Sequence, residues 1–172
     1  KFCSISTKMQ CVIAYIFSLI EVTPLMLQKL LYFIQGESLA LYGKPMYQEV
    51  CQAWVHGPVY PEVYFMFKDF KYNPIEDARF AVFEGIEKEL SPEERRAIDL
   101  VINTFGEYSG KVLERITHNE EPWILARTGY GDDIPSNEPI TLESIAAYYR
   151  KKHEEFDFST EAGLKRYIHT LI

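Results

Sequence analysis

His56, Cys51, His118, Glu62, Glu120 and Glu121 are the side chains that could bind a metal ion or pass protons. A zinc centre needs its donors at spacings such as His-Glu-x-x-His or paired Cys-x-x-Cys, so that they converge on one point. These six follow no such spacing. Neither a Gly-x-Ser-x-Gly elbow for a nucleophile nor a phosphate-cradling or dinucleotide glycine pattern occurs. A histidine beside Gly57-Pro58 serves more simply as a hydrogen-bonding group of a turn. No catalytic centre, metal or cofactor is expected, and the informative residues are ones that bind or brace.

The elements that position them follow from apolar spacing and caps. Met9, Val12, Ile13, Ile16, Phe17 and Ile20 recur at helical intervals after Ser6-Thr7. Thr23-Pro24 supplies an N-cap and a first-turn proline for a second helix, ended by Tyr42-Gly43-Lys44-Pro45. Val50–Val55 alternates weakly and predicts a short strand. His56-Gly57-Pro58 turns the chain, and Pro61-Glu62 opens a helix predicted to run to about Phe70. Arg79–Phe83 fits a strand or a loop. Ser91-Pro92-Glu93-Glu94 is a capping box before Ile98, Val101, Ile102 and Phe105, with Gly106 as the expected stop. Ser109 and Thr141 cap two more helices, and a short one follows Glu121-Pro122-Trp123 and ends near Thr128-Gly129. Tyr130–Pro139 is the clearest surface loop. Leu164, Tyr167, Ile168 and Leu171 mark a last amphipathic segment. These signals predict a mainly α, compact multi-helix domain with a small β element or hairpin after the second helix.

The bulk composition narrows the partners. A chain of 172 residues with 47% hydrophobic content buries a real core. Its net charge of −7, with basic clusters as short as Arg95-Arg96 and Arg150-Lys151-Lys152, argues against a phosphate-binding face. Nucleic acid is not an expected partner. Three cysteines, Cys3, Cys11 and Cys51, form no Cys-x-x-Cys and leave one unpaired, which fits a reducing compartment. The apolar run Cys11–Ile20 is too short to span a membrane, so a cytoplasmic protein is expected. The aromatic share is 15%, with 12 Tyr, which suits either an aromatic core or an interface.

Gly57 can take backbone angles closed to other residues, and Pro58 holds its neighbour extended. With Pro61 starting a helix within four residues, the segment is a rigid elbow. It is expected to bury Trp54 in the core and aim His56, Val59 and Tyr60 in fixed directions.

Four stretches together resemble the Panacea, or SocA-like, antitoxin family. They are Leu27–Gly36 (Leu-Gln-Lys-Leu-Leu-Tyr-Phe-Ile-Gln-Gly), Gly43-Lys44-Pro45, Ala53–Tyr64 (Ala-Trp-Val-His-Gly-Pro-Val-Tyr-Pro-Glu-Val-Tyr), and Thr117–Trp123 with its Thr-His-x-x-x-Pro-Trp pattern. The match extends to Ala126-Arg127 and the Ile140–Tyr149 helix. It divides the chain into a family domain over residues 1–150 and a C-terminal helical extension over 151–172. The resemblance makes Gln28, Lys29, Gln35, Gly36, Trp54, Gly57, Pro58, Pro61, His118 and Trp123 the structural motif. It implies an antitoxin of a bacterial or phage toxin–antitoxin pair, of the kind carried by prophages. Such a protein neutralises a cognate toxin protein by direct binding, with a protease or chaperone component as a further partner. The expected binding side chains are exposed His56, Tyr60 and Tyr64 beside the elbow, with Tyr167 on the last helix. A DNA-binding regulator and a metal-dependent hydrolase are the alternatives.

Overall fold

Every residue from Leu27 to Leu39 is buried, so one helix forms the spine of the molecule. The computed structural model describes residues 5–76 and 86–172, and the Arg79–Phe83 segment, expected as a strand or loop, lies outside them. The spine is α2 (Pro24–Tyr42), preceded by α1 (Thr7–Leu19). A hairpin of β1 (Cys51–Trp54) and β2 (Gly57–Val59) leads into α3 (Pro61–Phe67). Then come α4 (Pro92–Thr104), α5 (Gly110–His118), α6 (Glu121–Ala126), the two-residue β3 (Pro139–Ile140), α7 (Leu142–Phe156) and α8 (Glu161–His169). Helices α4, α5, α7 and α3 and strand β2 all pack on α2. A helix covered on all sides loses the one-faced pattern of a surface helix, which is why α2 is apolar nearly all round.

The helix starts are local and chemically explicit. Side chains of Ser6, Thr23, Ser91, Ser109, Thr141 and Thr160 each accept the backbone N–H three residues on. Such a cap contributes about 1 kcal/mol. At Ser91 the box is closed in both directions, with Glu94 N donating to Ser91 Oγ at 3.1 Å and Ser91 N to Glu94 Oε1 at 2.8 Å. Gly43 ends α2 in the left-handed region at φ 66°.

The mainly α architecture holds, with one small antiparallel sheet of order β2-β1-β3. Trp54 pairs Gly57 and Gln52 pairs Val59 in the hairpin, while Cys51 pairs Ile140 on the other edge. β3 falls at the end of the expected surface loop; two residues are too short to carry an alternating pattern. α3 stops at Phe67 and tightens into a 3₁₀ turn, Lys68–Phe70. α4 likewise ends at Thr104, and a 3₁₀ turn, Phe105–Glu107, carries the chain through Gly106. α6 is shorter than expected, ending at Ala126.

Residue 150, where the recognisable pattern ends, lies inside α7, which continues to Phe156. α8 buries Leu164, Tyr167 and Ile168 and packs on α4 and α7. Arg96 of α4 donates to the Ser159 carbonyl at 2.7 Å, tying the approach to α8 to the rest. Among the described residues no single helix is long and apolar enough to cross a membrane.

Candidate protein-binding cleft

Polar side chains buried on α2 hold the elbow by its backbone. Gln28 acts as a two-bond clamp: Tyr60 N donates to its Oε1 at 2.8 Å, and its Nε2 donates to Tyr60 O at 3.3 Å. Gln35 does the same one loop earlier, accepting from Met46 N at 2.6 Å and donating to Tyr47 O at 2.8 Å. Lys29 is wholly buried, and its ammonium donates to Pro58 O at 2.9 Å. Burial pushes the Lys29 ammonium down to about 8, so at neutral pH it stays largely charged. Gly57 lies directly on that lysine. Its φ is +105°, and a Cβ there would stand 2.8 Å from Lys29 Cε and 2.8 Å from Thr117 Oγ1. Only glycine satisfies both the angle and the approach.

The 117–127 segment closes on the same backbone from the other side. Trp123 Nε1 donates to Trp54 O at 2.8 Å, while Arg127 Nη1 and Ser136 Oγ each donate to Ala53 O at 3.0 Å. His118 stacks on Trp123 with ring centroids 4.1 Å apart and bonds the Val55 backbone, and its burial lowers the imidazole below its ordinary value. Gln28, Lys29, His118 and Trp123 of the motif are thus brackets around one hairpin, and Gln35 holds the loop before it. Pro61 starts α3 where the brackets end.

The elbow forms one wall of a cleft of about 800 Å³. Its apolar lining includes Leu27, Val59, Val63 and Phe67, all buried, with Trp54 and Tyr64 edge to face at 4.9 Å. The start of α5 and residues 135–137 complete it. Lys68, Lys71, Lys111 and His56 stand at its polar lip. Among the described residues Glu114 is its one acidic lining residue, bonded to His56 Nδ1 at 3.1 Å and 3.5 Å from Lys111 Nζ. Burial works against the Glu114 charge, but the His56 hydrogen bond and the nearby His56, Lys111 and His118 charges hold its carboxyl below its ordinary value.

Of the four expected binding side chains, the structure brings two to this cleft. His56 is exposed and Tyr64 half-buried, both on the lining. Tyr60 is not exposed: it is the residue before Pro61, its backbone held by Gln28, and its ring turns inward against Tyr47 at 5.4 Å. Tyr167 is not exposed either. Its hydroxyl donates to the Glu120 carboxylate, deep in the core. Trp54, expected in the core, is half-buried because its indole faces the cleft and only its backbone is bracketed from behind.

Glu120, one of the six possible metal or proton groups in the sequence, is instead the hub of a buried tyrosine cluster. It accepts from Tyr32 at 2.7 Å, from Tyr149 at 2.9 Å on both oxygens, and from Tyr167, whose hydroxyl also lies 2.7 Å from that of Tyr148. Burial pushes the Glu120 carboxyl up to about 7, against the pull of the three hydroxyl donors. Its place inside the Thr117–Trp123 pattern was the available signal. Cys51 is buried with its thiol pushed up to about 12, an unreactive state. Among the described residues no three His, Cys, Asp or Glu side chains group as metal ligands.

The scaffold thus sets a braced hairpin beside a largely apolar cleft. Residues 27–124 match the family described as "Antitoxin SocA-like, Panacea domain", so the chain belongs to that family. It is also 31% identical over 122 residues to "Antitoxin SocA" of Caulobacter vibrioides (strain NA1000 / CB15N), across 67% of this chain. The chain spans 65% of the length of that relative. No solved structure matches it.

Proposed function

We propose that this chain is an antitoxin that neutralises a cognate toxin protein by direct binding, through the cleft beside the Trp54–Pro61 elbow. The observation that carries the reading is that the matched segment, residues 27–124, supplies 17 of the 23 residues lining the cleft. Its residues Gln28, Lys29, Gly57, Pro58 and Trp123 fix the wall, and His56 and Tyr64 face the opening. A rigid wall lowers the ordering cost of binding. Cys11 and Cys51 are both buried free thiols, which suits a toxin met in the cytoplasm. The binding role asks for no chemistry from the protein.

Co-expression with the product of the adjacent gene tests the reading. Restored growth together with co-purification of the two proteins is the expected result. A toxin half-life that shortens when this chain is present would add delivery to a protease; an unchanged half-life means occlusion alone. Growth arrest that persists at full expression of folded protein would overturn the proposal.

A further inference from the structure

The cleft has a charge pattern opposite to that of the whole molecule. The chain carries −7, yet among the described residues the cleft is lined by four lysines, Lys29, Lys68, Lys71 and Lys111, against one acidic residue, Glu114. Lys29 is committed to Pro58 O, and Glu114 is shared between His56 and Lys111. Among the described residues Lys68 and Lys71 form no ion pair, though Lys68 lies 5.5 Å from the Phe65 ring centroid. These two cations flank apolar surface that is open to solvent: Phe65 is 62% exposed and Tyr72 is 91% exposed.

The backbone at this lip carries a second signal. Lys71 sits at φ 56°, ψ −111°, outside the left-handed helical region, where only glycine is free of strain. A long cationic side chain thus stands in a strained conformation at the mouth of the cleft, and such outliers concentrate at binding sites.

We infer that the cleft takes a partner segment that alternates bulky apolar side chains with carboxylates: apolar groups against Trp54, Tyr64 and Tyr72, carboxylates on Lys68 and Lys71. The inference rests on the protein-binding reading above and names the chemistry of the recognised segment. Opposite potentials steer such a segment in and set its register, while the apolar floor supplies the burial. Three exposed lysines around an apolar floor are a poor match for nucleic acid, which needs a cation opposite each phosphate and aromatic faces spaced for bases.

The probes are two fluorescein-labelled peptides of equal apolar content, Glu-Leu-Phe-Glu-Leu-Leu-Glu and Lys-Leu-Phe-Lys-Leu-Leu-Lys, and a labelled oligothymidylate, titrated by anisotropy. The acidic peptide should bind and the basic one should not, with affinity falling as salt rises. Lys68→Glu with Lys71→Glu should weaken the acidic peptide about tenfold or more and reverse the preference. Lys71→Gly separates binding from folding: the strain is relieved, so the melting temperature holds or rises, while binding still weakens. Equal binding of both peptides, unchanged affinity in these variants, or tighter binding of the oligonucleotide would overturn the inference. So would a dimer in light scattering that the double variant dissolves, which would make a second copy the occupant. Toxin neutralisation that survives the charge reversal also overturns it and leaves the antitoxin reading intact. Wild-type failure to neutralise, with peptide selectivity retained, removes the antitoxin reading alone.

Discussion

Replacing Glu120 by Gln should remove a pH dependence of stability worth about 3 kcal/mol between pH 4.5 and 7. The carboxyl is pushed from an ordinary 4.5 up to about 7 by burial, while Tyr32 on α2, Tyr149 on α7 and Tyr167 on α8 donate to it and Lys152 pulls the other way from burial. Below pH 4.5 the group is protonated in both folded and unfolded chains, and its stabilising difference is fully present. Between 4.5 and 7 the unfolded chain gives up the proton and the folded one keeps it. The contribution is therefore lost as pH rises and is gone above about 7. At 1.36 kcal/mol per pH unit the loss is about 3 kcal/mol. Glu37, buried without a hydrogen-bond partner and also raised, adds a slope of the same sign. Lys29, lowered to about 8, contributes the opposite slope only above that value. The difference between variant and wild type isolates Glu120 from both. Urea titrations at pH 5, 6, 7 and 8, followed by tryptophan fluorescence, give that difference directly. The Gln variant should gain on the wild type by about 3 kcal/mol from pH 4.5 to 8. Parallel profiles for the two proteins would refute the assignment of a buried, largely neutral carboxyl.

Three further outcomes follow from close approaches in the fold. Gly57→Ala should cost about 3 kcal/mol, combining strain at φ +105° with the contacts on Lys29 and Thr117, and would be read as a lowered urea midpoint. Gly36→Ala sets two terms against each other: alanine gains about 1 kcal/mol of helix propensity, but its Cβ would lie 2.6 Å from Tyr149 ring carbons. That ring is buried and its hydroxyl is bonded to Glu120, so it cannot step aside, and the melting temperature should fall rather than rise. Trp54→Ala should cost about 2 kcal/mol, below the range for fully buried aromatics because the indole is half-buried, and should weaken toxin co-purification more than it lowers stability.

What was legible in the sequence was local. Ser91 and Glu94 are three residues apart, and Thr23 sits beside Pro24, so their helix starts need nothing from elsewhere. The hairpin was legible for the same reason, since Gly57 and Pro58 restrict the chain wherever they occur. The orientation of tyrosines was not. Tyr60 and Tyr64 are one helical turn apart, yet the first is buried and the second faces the cleft, because Gln28 grips the backbone of residue 60 alone. Glu120 draws its donors from Tyr32, Tyr149 and Tyr167, on three helices distant in sequence, and no spacing rule reaches that far. Lys68 and Lys71 stand together only through the cleft they rim, and an exposed lysine in sequence looks like any other.

The buried polar residues of α2 explain why so small a sheet can carry a binding wall. A three-stranded sheet with strands this short leaves much of its flanking backbone without ladder partners. Gln35, Ser38, Lys29 and Gln28 take their place, bonding in turn the backbone of Met46 and Tyr47, Lys44, Pro58 and Tyr60. Each such group, left buried and unpaired, would cost about 1–3 kcal/mol. The helix thus does for residues 44–60 what neighbouring strands do in a larger sheet. The cleft wall is as rigid as α2 itself, and α2 is locked from its far side through Tyr32 and the Glu120 cluster. Core and cleft are therefore one connected unit: the tyrosine cluster braces the helix that positions Trp54, His56 and Tyr64 along the cleft.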